Sequence, residues 1–125
     1  MKRIAIPLLA AGLILLAPGA PARAGEADVL AVRALPEGAG LWRFEVTVAH
    51  GDTGWDHYAD KWDVLAPDGR VLATRVLLHP HETEQPFTRS MGGVAVPAGV
   101  TRVRVRAHDK VHGYGGAEME VDLTR

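Results

Sequence analysis

Six histidines stand in three short stretches of this 125-residue chain, and each stretch also carries carboxylates. "HGDTGWDHYAD" (50–60) holds His50 and His57 with Asp52, Asp56 and Asp60. "HPHETEQP" (79–86) holds His79 and His81 with Glu82 and Glu84, and "HDKVHGYGG" (108–116) holds His108 and His112 with Asp109. Imidazole nitrogens suit zinc, copper, iron and nickel, and carboxylates among them keep a site open for iron or zinc chemistry. His79-x-His81 points two rings to one side if a strand continues through it, and His108 with His112 can close on one ion across a glycine-containing turn. The pattern predicts a divalent transition metal (iron, copper or zinc) held by ligands drawn from His50, His57, His79, His81, His108, His112 and Asp109. Trp55, between Gly54 and Asp56, is the expected wall of the site, with Asp52 and Asp56 lining the pocket.

Other chemistries fit the same residues less well. Asp52, Asp56 and Asp60 recur every fourth residue but do not follow the D-x-D-x-D-G order that wraps calcium. Unperturbed histidines titrate near 6.5, so a pole of six would gain positive charge in mild acid and could form a pH-responsive surface. There is no cysteine, and the one serine, Ser90 in "FTRSM", has no G-x-S-x-G context, so a catalytic nucleophile is not expected. "GYGG" (113–116) leads into a strand and not a helix, which leaves no helix N-terminus to hold a phosphate.

The elements that must position these residues are strands. In "LWRFEVTVAH" (41–50), Trp42, Phe44, Val46 and Val48 share one face, while Arg43, Glu45 and Thr47 share the other. "DKWDVLAPDGRVLATRVLLH" is a hairpin about Pro67-Asp68-Gly69, with Trp62 in the core. "VTRVRVRAH" turns Val103, Val105 and Ala107 inward and Arg102, Arg104 and Arg106 outward, as a stripe that acidic neighbours would pair. "AEMEVDL" repeats the alternation, "DVLAVRAL" (28–35) adds a first strand, and a less regular one falls within 87–96. About seven strands without helical periodicity predict an antiparallel, immunoglobulin-like β-sandwich of a single domain, residues 25–125. If successive strands alternate in direction, every second connection shares an end. "PEGAG" (36–40), "PDG" (67–69) and "PAG" (97–99) then form one pole, and the three histidine-bearing loops form the other. Loops held by a rigid sandwich are where binding groups concentrate.

Residues 1–24 read as a secretory signal peptide: Lys2 and Arg3, an apolar run from Ile4 to Ala17, and the small-x-small site Ala22-Arg23-Ala24. The run is shorter than the roughly 20 residues of a spanning helix. Cleavage after Ala24, a periplasmic or secreted location and no membrane anchor are expected. Lipidation is not expected in a chain without cysteine. Losing Lys2, Arg3 and Arg23 leaves 11 basic against 15 acidic residues, a formal charge of −4. Such a chain has no electrostatic footprint for nucleic acid. Without disulfides its stability must come from apolar packing or a bound ion.

Two resemblances bear on function. "GWDHYADKWDVLAPDG", "LLHPHETEQPFTRS" and "AHDKVHGYGG" resemble blocks of an uncharacterised family of secreted bacterial proteins, over most of the chain after residue 24. More locally, Asp109-Lys-Val-His112-Gly is similar to the Cys-x-x-His-Gly segment of superoxide reductase, the ferrous-iron domain of desulfoferrodoxins, and "DHYADKW" (56–62) to its His-containing segment before a Trp-bearing strand. That family is an immunoglobulin-like sandwich with iron on four histidines and a cysteine, so the resemblance implies His57 and His112 at ligand positions. Asp109 stands where the family has its thiolate, and the activity does not carry over. The reading is therefore of a metal-binding or metal-delivery protein, with open coordination positions that would also permit redox or hydrolytic chemistry, including a superoxide-reductase-like redox site without the cysteine ligand. A metal-free interaction module, with a protein partner on the same loops, is its competitor. A metal centre requires three converging donor atoms; an interaction surface would show diverging rings and an exposed Trp55.

Overall fold

The computed structural model describes residues 25–124, so the expected signal segment lies outside the described residues. Seven strands follow: β1 Asp28–Gly38, β2 Leu41–Ala49, β3 Ala59–Leu65, β4 Val71–Val76, β5 Phe87–Ala95, β6 Arg102–Asp109 and β7 Met119–Asp122. They form two antiparallel sheets, one ordered β1-β2-β5 and the other β4-β3-β6-β7. This is the immunoglobulin-like sandwich expected, with the fourth strand on the sheet of β3, β6 and β7 and not beside β1, β2 and β5.

The alternating strands close the core. Trp42, Phe44, Val46 and Val48 from β2 face Trp62 and Val64 from β3 and Val103 and Val105 from β6, all fully buried, with Phe87, Leu77 and Val94 filling the ends. Each such side chain contributes about 1.5–3 kcal/mol by leaving water. The outer faces carry the polar partners. The arginine stripe finds acids: Arg102 with its register partner Asp122 at 2.8 Å, Arg106 with its register partner Asp63 at 3.0 Å, and Arg104 with Glu118 at 3.0 Å, two residues before its register partner Glu120. Tyr114 folds back over Arg106, 3.8 Å from the guanidinium to the ring centroid, and donates to Asp63 at 2.6 Å. Burial works to raise the Asp63 pKa, but the hydrogen bonds from Thr74, Tyr114 and Arg106 and the Arg106 charge outweigh it and hold the group below the usual carboxylate value.

The first hairpin is tighter than the sequence suggests. β1 runs on through Pro36 to Gly38, which pairs with Leu41. Only Ala39 (φ 56°) and Gly40 (φ 79°) remain to turn the chain. Two central residues of positive φ match the twist of the flanking strands, and Pro36 is tolerated because β1 is an edge strand.

The alternation of strand directions brings the β2–β3, β4–β5 and β6–β7 loops together at one end. The segment before β1 joins them there. Val29 N–H donates to Ala117 O at 2.8 Å, Ala117 N–H donates to the Asp28 carboxylate at 2.7 Å, and Ala27 is buried. These contacts place Gly25 within the pole.

Candidate metal centre

Asp52 organises the pole. Its carboxylate, fully buried, accepts from Ala59 N–H at 3.1 Å and from His81 N–H at 2.6 Å, and its Oδ1 meets His50 Nδ1 at 2.5 Å. One carboxylate thus ties the β2–β3 loop to itself and to the β4–β5 loop. Gln85 adds a second tie, accepting from His50 N–H at 2.9 Å and donating to His81 O at 3.0 Å.

Asp109, the last residue of β6, is also fully buried. Its Oδ1 accepts from Val111 N–H at 2.7 Å and His112 N–H at 2.5 Å, closing the turn in which Asp109 and Gly113 exchange backbone bonds of 3.0 and 3.1 Å. The Asp-x-x-His-Gly spacing therefore builds a capped turn, with Gly113 supplying the left-handed residue (φ 69°). Burial pushes the Asp109 pKa up. The two N–H bonds, together with the His50 and His112 imidazoles, more than offset this and keep the group below its usual value.

His50, His57 and Asp109 converge, each offering one ligand atom within 4.8 Å of the others, and these three residues could hold a metal ion. His50 Nε2 lies 3.4 Å from Asp109 Oδ2, and His57 Nε2 lies 3.6 Å from Asp109 Oδ1. Both Nε2 atoms also face the carbonyl oxygen of Gly25, at 2.9 Å and 3.1 Å. Donors about 2.1 Å from one ion stand roughly 3.0–3.4 Å apart in octahedral or tetrahedral arrangement. The two contacts with Asp109 lie near those edges through different carboxylate oxygens, while the whole set spans up to 4.8 Å and would have to draw together on an ion.

His50 is the informative member. Its Nδ1–H is committed to Asp52, which leaves Nε2 with only acceptors before it, Gly25 O and Asp109 Oδ2. Nε2 stands at hydrogen-bond distance from Gly25 O, a contact it makes as a donor, and a metal ion could stand in the place of that proton. Asp52 in this role is the carboxylate that orients a metal-bound imidazole from behind.

The other predicted residues take other places. His112 lies beside the centre, its ring 4.9 Å from that of His57 and its Nδ1 3.3 Å from Asp109 Oδ2, but it is partly exposed. His108 stands apart from the converging group. Side chains alternate along β6, so His108 points to the outer face, where it meets Asp60 at 2.6 Å and packs on Tyr114. His79 and His81 do not continue a strand, because β4 ends at Val76. His79 is exposed, and the His81 ring is buried and stacked on Phe87, centroids 4.0 Å apart. The three aspartates of the first loop separate: Asp52 turns in, Asp56 is exposed and Asp60 bonds His108. Trp55 does not cover the centre; it is 63% exposed and packs edge-on against Tyr58. Gly25 and Gln85 carry no chemical signature in the sequence, and only the tertiary contacts show their part.

His81 gives the pole a pH dependence. Burial, then the nearby charges of Arg89 and His79, lower its pKa, while Asp52 and Glu84 act in the opposite sense. A depressed folded-state value means that the unfolded chain binds the proton more readily. Stability is then complete above about pH 6.5 and falls as the pH drops from there through the folded value. Urea denaturation from pH 8 to pH 5 is expected to show this loss, with a shallower slope in His81→Phe; equal slopes would contradict it.

Comparison with known proteins adds one relative. The chain is 48% identical over 97 residues to a protein from Halomicrobium mukohataei named "Putative lipoprotein". The match covers 78% of this chain and 47% of that protein, so the chain spans about half the length of the relative it matches. No family model matches, and no solved structure matches.

Proposed function

We propose that this is an exported protein, periplasmic or secreted, that binds one divalent transition metal through His50, His57 and Asp109 and serves in metal binding or delivery. The observation that carries the reading is the convergence of His50 Nε2, His57 Nε2 and the buried Asp109 carboxylate beside Gly25 O, with the Asp52 carboxylate behind His50. Two imidazoles with a carboxylate suit iron, zinc or copper, and the hard oxygen donors oppose a purely thiophilic ion. Export is supported by the basic-apolar-small pattern of residues 1–24 and by the lipoprotein description of the relative. With Asp109 where superoxide reductase has a thiolate, the softer axial donor is missing, and a redox role is not part of the proposal.

The test is elemental mass spectrometry on untagged protein from the periplasm of its native host, beside a His50→Ala, His57→Ala double variant. Near-stoichiometric metal is expected in the parent and none in the variant, with folding of both checked by circular dichroism. Ion at about 100 times its dissociation constant stabilises a folded protein by about 2.7 kcal/mol, and in a domain of this size that raises Tm by about 10 °C or more. A parent that takes up no zinc, copper or iron and shows no such shift would overturn the proposal.

A second reading draws on exposed apolar residues. Trp55, Leu78 and Val111, one on each loop of the pole, are 63%, 73% and 60% exposed. Such residues favour docking of a partner protein over the same end, and that is where a delivery partner would approach.

A further inference from the structure

We infer that cleavage after Ala24 completes the metal centre, because it makes Gly25 a chelating ligand through its carbonyl oxygen and its newly freed α-amine. The inference rests on the metal reading of His50, His57 and Asp109 and adds a ligand that the histidine pattern does not contain.

The carbonyl is already in place. Gly25 O lies 2.9 Å from His50 Nε2 and 3.1 Å from His57 Nε2, so an ion bridging the two imidazoles and Asp109 would meet this oxygen as a neighbouring donor. Its position is fixed by the chain that follows: Ala27 is buried, and Asp28 and Val29 are bonded to Ala117. Few residues separate this anchor from the centre, so the new chain end is held there with little freedom to lose.

The nitrogen changes character on cleavage. Within a peptide bond its lone pair is delocalised into the carbonyl of residue 24 and is not a donor. As an α-amine it is a donor, and with its own carbonyl oxygen it closes a five-membered ring on a metal. The residue type fits as well. A Cβ at position 25 would come 2.5 Å from His112 Cε1, so glycine lets the His112 ring lie against the chain end. The completed ligand set is two imidazoles, one carboxylate, one carbonyl and one amine, a mixed nitrogen and oxygen set for a borderline ion such as copper(II) or zinc(II). Metal capture then follows processing of the precursor and does not precede it.

The test compares protein beginning at Gly25 with protein that retains residues 21–24, both folded by circular dichroism, titrated with copper(II) and with zinc(II) against a competing chelator. The form beginning at Gly25 is expected to bind at least about tenfold more tightly, because the second donor is tethered to the first. Its copper(II) electron paramagnetic resonance spectrum is expected to change on ¹⁵N-glycine labelling, through the coordinated amine. Equal affinities and label-insensitive spectra would overturn this inference while leaving the centre of His50, His57 and Asp109 standing. Binding by neither form would overturn both. An intact mass of the exported protein that places its N-terminus elsewhere than Gly25 would also overturn it.

Discussion

Asp52→Ala is expected to destabilise the domain by about 3–5 kcal/mol, the loss typical when one partner of a buried charged network is removed. The side chain is fully buried and holds three donors: the N–H groups of Ala59 and His81 and the His50 ring. Alanine leaves all three without that acceptor in a place water does not reach, at about 1–3 kcal/mol for each unsatisfied group. Part of the loss is recovered as the loops separate. Urea denaturation reads the difference, and exposed Asp56→Ala serves as the control, expected within about 0.5 kcal/mol of the parent. A loss for Asp52→Ala no greater than that of the control would show that Asp52 does not join the loops. Asp52→Asn keeps the shape but weakens the acceptor behind His50, and is expected to lower metal affinity by about 10–100-fold.

Trp62→Ala is expected to cost a similar amount, about 3–5 kcal/mol, and to lower Tm by roughly 15–30 °C. Trp62 has no exposed surface and sits on β3 between β4 and β6, with its ring in the layer shared by both sheets. Truncation opens a cavity that the flanking strands cannot close without breaking their ladders. Trp62→Phe is expected to be much milder, at about 1–2 kcal/mol, for two reasons. It retains most of the apolar volume, and it removes an indole N–H that has no acceptor among the described residues. Thermal denaturation of the two variants side by side would decide; equal losses would mean that the indole nitrogen, and not the ring volume, is what the core requires.

Neither side chain was equally legible in the sequence. Trp62 was visible as core because a strand has a period of two, and Val64, the next residue on its face, is apolar. The same rule placed Trp42, Phe44, Val46, Val48, Val103 and Val105, and it set the arginines of β6 outward toward Asp122, Glu118 and Asp63. Asp52 was visible only as one of three evenly spaced aspartates, since nothing local separates the one that turns inward from Asp56 or Asp60. Loop conformations depend on what they pack against, and periodicity has no purchase on them.

The sequence by itself determined the sandwich, the gathering of the histidine-bearing stretches at alternate strand ends, and a glycine-containing turn after His112. These follow from local rules: alternation, antiparallel direction and turn chemistry. Only the tertiary structure decided which histidines meet. His108 leaves the group because it is one residue from Asp109 on a strand and faces the other way. His81 leaves because its ring stacks on Phe87. Gly25 enters because the bond between Val29 and Ala117 draws the segment before β1 across the pole. A candidate centre assembled from the β2–β3 loop, the end of β6 and the segment before β1 is fixed by long-range contacts, and those contacts depend on packing between sheets that no short stretch of sequence records.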